Sequence, residues 1–168
     1  MIFRQLFDSQ SWTYTYLLAE RRGGEALIID PVLDGVPRYL RLIRELDLQL
    51  VMAVDTHIHA DHVTGMGRLR QATWCAAAMG EQARAECLSL RFREGETLKV
   101  DGIALKALYT PGHTDDSYSL VLPDRVFTGD TLLIGGTGRT DFQDGDPGAQ
   151  YDSLFGKLLT LPDETVVY

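Results

Sequence analysis

Thr56-His57-Ile58-His59-Ala60-Asp61-His62 decides how this chain is read. Three of its four histidines fall within six positions, with an aspartate among them. The apolar run Leu50 to Val54 precedes the cluster, and a glycine-dotted segment, 63–69, follows it. Imidazole and carboxylate donors gathered at a strand end offer a metal ion several ligands at once. In extended backbone, residues i and i+2 point the same way, so His57 and His59 can share one side. Asp61 and His62 follow as the chain turns, within reach of the same or an adjacent metal. Packing alone gives no reason to cluster these residue types.

Upstream, residues 2–7, 13–18 and 26–29 are rich in strand formers and predict an antiparallel β-meander. Val36, Tyr39, Leu40, Ile43 and Leu46 recur at helical spacing, so 35–46 is an amphipathic helix with Pro37 in its first turn. Strand 48–55 then delivers the histidines, at the carboxyl end of a strand where α/β ligand crevices form. A helix is expected to open at His62 and run to about Arg70. A short strand at 73–76 and helix or loop over 77–90 complete the first half.

Downstream, Asp101-Gly102 between 97–100 and 103–109 signals a hairpin. Strands at 117–122 and 125–128 follow. Two further metal-ligand types sit at strand ends: His113 in Thr110-Pro111-Gly112-His113-Thr114, and Asp130 in Thr128-Gly129-Asp130-Thr131. Residues 135–148 hold five of the 16 glycines and predict a long polar loop of functional kind. A helix over 150–161 and a strand at 165–168 close the chain.

The bulk properties set bounds. A length of 168 residues argues for one domain, 1–168, with a sizeable core. A net charge of −8 argues against nucleic-acid and anionic-membrane partners. Cys75 and Cys87 stand in no Cys-x-x-Cys pattern and read as plain thiols of a reducing compartment. The start lacks a signal-peptide pattern and no apolar run is long enough to span a bilayer. These points predict the cytoplasm, or an organelle matrix.

His-x-His-x-Asp-His, then Pro-Gly-His-Thr, then Thr-Gly-Asp-Thr, in this order, resembles the metallo-β-lactamase superfamily over nearly the whole chain. The resemblance implies an αββα sandwich with a metal site at the edge of its two sheets. Fold alone does not fix the reaction. Within that superfamily Thr13 to Leu18, Thr56 to His62, Thr110 to Asp115 and above all Gly138-Arg139-Thr140-Asp141-Phe142-Gln143 resemble persulfide dioxygenases, the sulfur dioxygenases of the ethylmalonic-encephalopathy-protein type.

That likeness implies one Fe(II) per chain, held by His57, His113 and Asp130 as the catalytic centre. His59, Asp61 and His62 then stand outside its coordination or serve a second metal. Two histidines and one carboxylate leave positions open for substrate and O2, which suits non-haem iron. The implied reaction takes glutathione persulfide, O2 and water to glutathione and sulfite. Arg139 is the implied substrate-binding residue, its guanidinium fork suited to a glutathione carboxylate. Asp141 is expected to orient a neighbour, and Asp30 is either a turn residue or a support for the site.

The likeness admits a homo-oligomer and a rhodanese partner, fused or separate, in a bacterial cytoplasm or a mitochondrial matrix. It also predicts that the fold continues past Tyr168, so the αββα sandwich lacks its C-terminal part here. The strand at 165–168 would lead directly to a further histidine for a second metal, with a tyrosine for glutathione close by. The rival enzyme is a glyoxalase II-like thioester hydrolase (hydroxyacylglutathione hydrolase) with a Zn(II) pair on His57, His59, Asp61, His62, His113 and bridging Asp130. A non-catalytic metal-binding remnant is the third reading.

Overall fold

The computed structural model describes residues 1–142 and 144–168; Gln143, the last residue of the Arg139–Gln143 motif, lies outside them. The chain opens with β1 (Ile2–Phe7), β2 (Tyr14–Ala19) and β3 (Glu25–Ile29), paired antiparallel as the alternating sequence predicts. A single 3-10 turn, Leu33–Gly35, leads into α1 (Val36–Glu45), whose Val36, Tyr39 and Ile43 are buried. Then β4 (Gln49–Val54) adds parallel to β3.

The next segment departs from expectation. No helix opens at His62: α2 runs Met66–Thr73, and 55–65 is irregular. Residues 63–65 are pinned instead to 31–33, through Leu33 N–H to the Val63 carbonyl, Gly65 N–H to the Pro31 carbonyl and a bridge between Val32 and Thr64. The expected strand at 73–76 is displaced. Trp74 caps α2 in a left-handed conformation, and β5 (Ala76–Gly80) and β6 (Leu90–Phe92) follow, both parallel extensions of the sheet. Alanine favours helix in isolation. Here Ala77 and Ala78 are buried in a strand flanked on both sides, and tertiary context overrides propensity.

The second sheet forms from β7 (Thr97–Val100), β8 (Ile103–Tyr109), β9 (Tyr118–Leu122) and β10 (Arg125–Phe127), all antiparallel, with β11 (Val166–Val167) parallel at its edge. The Asp101-Gly102 hairpin is where the sequence put it. The last helix, α3 (Pro147–Gly156), starts earlier and ends sooner than expected. Asp146 caps it by accepting from the Gly148 and Ala149 amides, and Pro147 fills its first turn. A 3-10 turn, Leu158–Thr160, takes up the remainder.

The sheets are ordered β1-β2-β3-β4-β5-β6 and β11-β10-β9-β8-β7. One apolar cluster lies between them, with Leu18, Leu27 and Val54 facing Leu105, Leu120 and Phe127. A second lies outside the first sheet, under Tyr39, Ile43, Met66 and Leu69 of α1 and α2. Alternation along each strand produces both: in β2, Leu17 faces the helices and Leu18 the opposing sheet. The architecture is a sandwich of two sheets, as expected.

Candidate metal centre

Four strands end at one edge of the sandwich, and each releases a polar residue there. Asp30 follows β3, His57 and His59 follow β4, His113 follows β8 and Asp130 follows β10. The four imidazoles converge, with ring centroids 4.2 Å apart for His57 and His59, 5.1 Å for His57 and His113, and 4.3 Å for His59 and His62. Ligand atoms of His57, His113 and Asp130 lie within 4.8 Å of one another; so do those of His59, Asp61 and His62, and those of Asp30, Asp55 and His59.

The first of these groups is built to offer ligands. His113 Nδ1 lies 2.8 Å from the backbone carbonyl of Arg139. A carbonyl only accepts, so Nδ1 carries a proton there and Nε2 is the nitrogen left for a metal. His57 is fixed in the same tautomer by a longer route. Its Nδ1 is 2.9 Å from Thr56 Oγ1, and that hydroxyl donates its one proton to Asp30 Oδ2 at 3.0 Å. The hydroxyl must therefore accept from His57 Nδ1–H. Outer partners of this kind orient imidazoles and raise their strength as ligands. His113 Nε2 in turn faces Asp130 Oδ2 at 3.4 Å. His57 and His113 are buried while the Asp130 side chain is 46% exposed, so the group is open to solvent on the carboxylate side.

Close backbone approaches make this possible. Gly129 has φ +49°, and a β-carbon there would stand 2.6 Å from Thr56 Oγ1. At Gly138 a β-carbon would stand 2.2 Å from the Asp130 carbonyl oxygen and 2.8 Å from His113 Nδ1. Gly112, at φ +145°, lies against Gln150 of α3, which donates to the Thr131 carbonyl. The Pro-Gly-His turn is thus clamped by the last helix.

Asp30 is a support of the site rather than a turn residue. It is buried, and Oδ1 accepts from the Thr56 amide at 2.7 Å and faces His59 Nε2 at 3.2 Å. That contact leaves Nδ1 as the one nitrogen His59 can offer elsewhere. Burial alone would lower the His59 imidazole, but the hydrogen bond and charge of Asp30 outweigh it and hold it up at about 9. Burial and the neighbouring His59 charge keep His57 well below the ordinary range. Burial pushes Asp55 up to about 7 and raises Asp130.

The second group is tied to the β1–β2 turn, where Thr13 Oγ1 donates to Asp61 Oδ2 at 3.0 Å and lies 3.3 Å from His62 Nδ1. His62 Nε2 is buried with no hydrogen-bond partner among the described residues. Arg139 sits on the loop that closes over His113, yet its guanidinium points outward. It is 64% exposed, holds Asp141 with bonds of 2.7 and 3.1 Å, and stacks over Phe142. Asp141 therefore does orient a neighbour, as expected. Cys75 is buried and Cys87 exposed, and both are free thiols. None of the described helices is long and apolar enough to cross a membrane.

Comparison with known proteins adds the family. The model of the metallo-beta-lactamase superfamily matches residues 13–168. Human persulfide dioxygenase ETHE1, mitochondrial, is 43% identical across all of this chain, which spans 67% of that protein. The crystal structure of ETHE1 from Myxococcus xanthus superposes with a TM-score of 0.97 at 52% identity, covering 100% of this chain and 74% of that one. A hydroxyacylglutathione hydrolase of Rhodopseudomonas palustris is 35% identical over 98% of this chain and 64% of its own length.

Proposed function

The chain belongs to the metallo-beta-lactamase superfamily, and from that premise we propose that it is an iron-dependent persulfide dioxygenase converting glutathione persulfide, O2 and water to glutathione and sulfite. The observation that carries this reading is the pair of imidazoles held as Nε2 donors beside a half-exposed carboxylate. Identity of 43% to the human dioxygenase, against 35% to the hydrolase, supports oxidation over hydrolysis.

His57, His113 and Asp130 would hold one Fe(II). When bound, the iron supplies one-electron redox chemistry and open positions for substrate and O2. The chain's own residues do the rest. Asp30 with Thr56, and the Arg139 carbonyl, lock the two imidazoles in the donor tautomer. The exposed side of Asp130 leaves the approach for the persulfide sulfur. Arg139 already grips a carboxylate on Asp141, and a glutathione carboxylate presents the same fork. The setting would be a bacterial cytoplasm or a mitochondrial matrix.

The alternative hydrolase reading draws on the second group, where buried His62 Nε2 lacks a partner among the described residues. The test is metal content of the purified protein together with oxygen uptake on glutathione persulfide. One iron per chain with oxygen uptake is expected, and Asp130→Ala should abolish both. Zinc content, no oxygen uptake and hydrolysis of S-lactoylglutathione would overturn the proposal. Arg139→Ala should raise KM for the persulfide about tenfold, with metal content and kcat little changed. An unchanged KM would remove Arg139 from the pocket.

A further inference from the structure

The two ligand loops meet across the gap between the sheets, and two hydrogen bonds stitch them. Tyr118, the first residue of β9, donates its amide to the Thr56 carbonyl at 2.9 Å. The Ile58 amide donates to the side chain of Asp116, at 3.0 Å from Oδ2. Ile58 lies between His57 and His59, and Asp116 lies three residues past His113, so this bond also joins the two histidine-bearing loops.

A cavity of about 160 Å³ lies beside this bond, and Ile58, Thr114, Asp116, Gln82 and Arg84 are among the residues that line it. Asp116 itself is buried, 3% exposed. A buried carboxylate is costly unless hydrogen-bonded, and this one accepts from the Ile58 amide. Asp116 is therefore placed where a buried acceptor oxygen holds one ligand loop against the other.

We propose that Asp116 is a positioning residue that fixes the separation of the His57 and His113 loops through the Ile58 amide, and so sets how tightly the centre holds its metal. This rests on the reading of His57 and His113 as ligands. The test uses the full chain with Asp116→Ala and Asp116→Asn, the second of which keeps an acceptor oxygen. Fe(II) affinity is read by competition with a chelator, geometry by the visible spectrum of the Co(II)-loaded protein, and the tie itself by exchange of the Ile58 amide in metal-free protein.

Asp116→Ala should weaken Fe(II) binding about tenfold or more and shift the Co(II) bands, while Asp116→Asn stays within about threefold of the parent. The Ile58 amide should be protected in the parent and in Asp116→Asn. Affinity within about threefold for Asp116→Ala would overturn the proposal, because outer partners of metal ligands are worth more than that. Equal loss in Asp116→Asn would overturn it too, since charge and not the acceptor would then matter. Should Asp116→Ala fail to fold, an Ile58 amide exchanging freely in the parent overturns it alone. A parent chain that binds no metal would sink the ligand assignment, leaving Asp116 to be judged by the amide.

Discussion

His57 and His113 are each aimed by the nitrogen that faces away from the centre. One is fixed by a backbone carbonyl, the other by a threonine that passes the demand on to buried Asp30. His59 belongs to the same web, and its pairing with Asp30 gives a pH test of the metal-free protein. The folded chain binds the His59 proton up to about 9, against a reference of 6.5. Its stabilisation is full below about 6.5 and is lost as pH rises towards 9. Asp55, raised to about 7, loses its share at lower pH, and depressed His57 matters only where the unfolded imidazole charges, below about 6.5. The window from pH 7 to 9 therefore reports His59. The melting temperature of chelator-treated protein should fall there by on the order of 5 °C. A flat profile would mean that the pair with Asp30 does not hold a proton. His57, His59, Asp61, His62, His113 and Asp130 could be marked as ligand types from sequence because such residues gathered at strand ends have no packing rationale, while the choice of His57, His113 and Asp130 among them came from the family likeness. Thr56 and the Arg139 carbonyl could not, because a hydroxyl and a main-chain oxygen gain their roles only once the loops have met.

At the scale of elements, the loop after Asp130 acts through its backbone as much as through Arg139. Gly138 donates its amide to the Asp130 carbonyl at 2.8 Å and leaves no room for a β-carbon beside His113. Gly138→Ala should push the loop away, free His113 Nδ1 and reduce metal affinity about tenfold or more. Gly136→Ala, whose added carbon would meet nothing within 4 Å, is the control and should match the parent. The strands before His62 and after Phe92, and α1, were legible because their periods are clean. The stretch from His62 to Phe92 was not. Its alanines suit helix locally, and only pairing with β4 makes them strand. The start of α3 was marked by Asp146-Pro147, a cap and a first-turn proline, but the glycines before it read as continuous loop.

For the whole molecule, the centre draws on both sheets: His57 follows a strand of the first, His113 and Asp130 follow strands of the second. An unfolded chain cannot present the three together, so a metal held by all three favours the native state. With free metal ion at about a hundred times Kd, the linkage is worth about 2.7 kcal/mol. Removing the metal with a chelator should lower the melting temperature by about 5–10 °C, and His57→Ala should erase the difference between treated and untreated protein. An equal drop in His57→Ala would place the stabilising ion elsewhere. The same division also imposes a timetable on a chain made from its amino terminus. His113 comes 56 positions after His57, and Asp130 comes later still. A ribosome releases the first histidine long before its partners exist, and those partners become neighbours only when the sheets have closed on one another. Loading of this centre is therefore a late event in maturation, and the cell must keep the metal within reach of an almost finished protein rather than a nascent one.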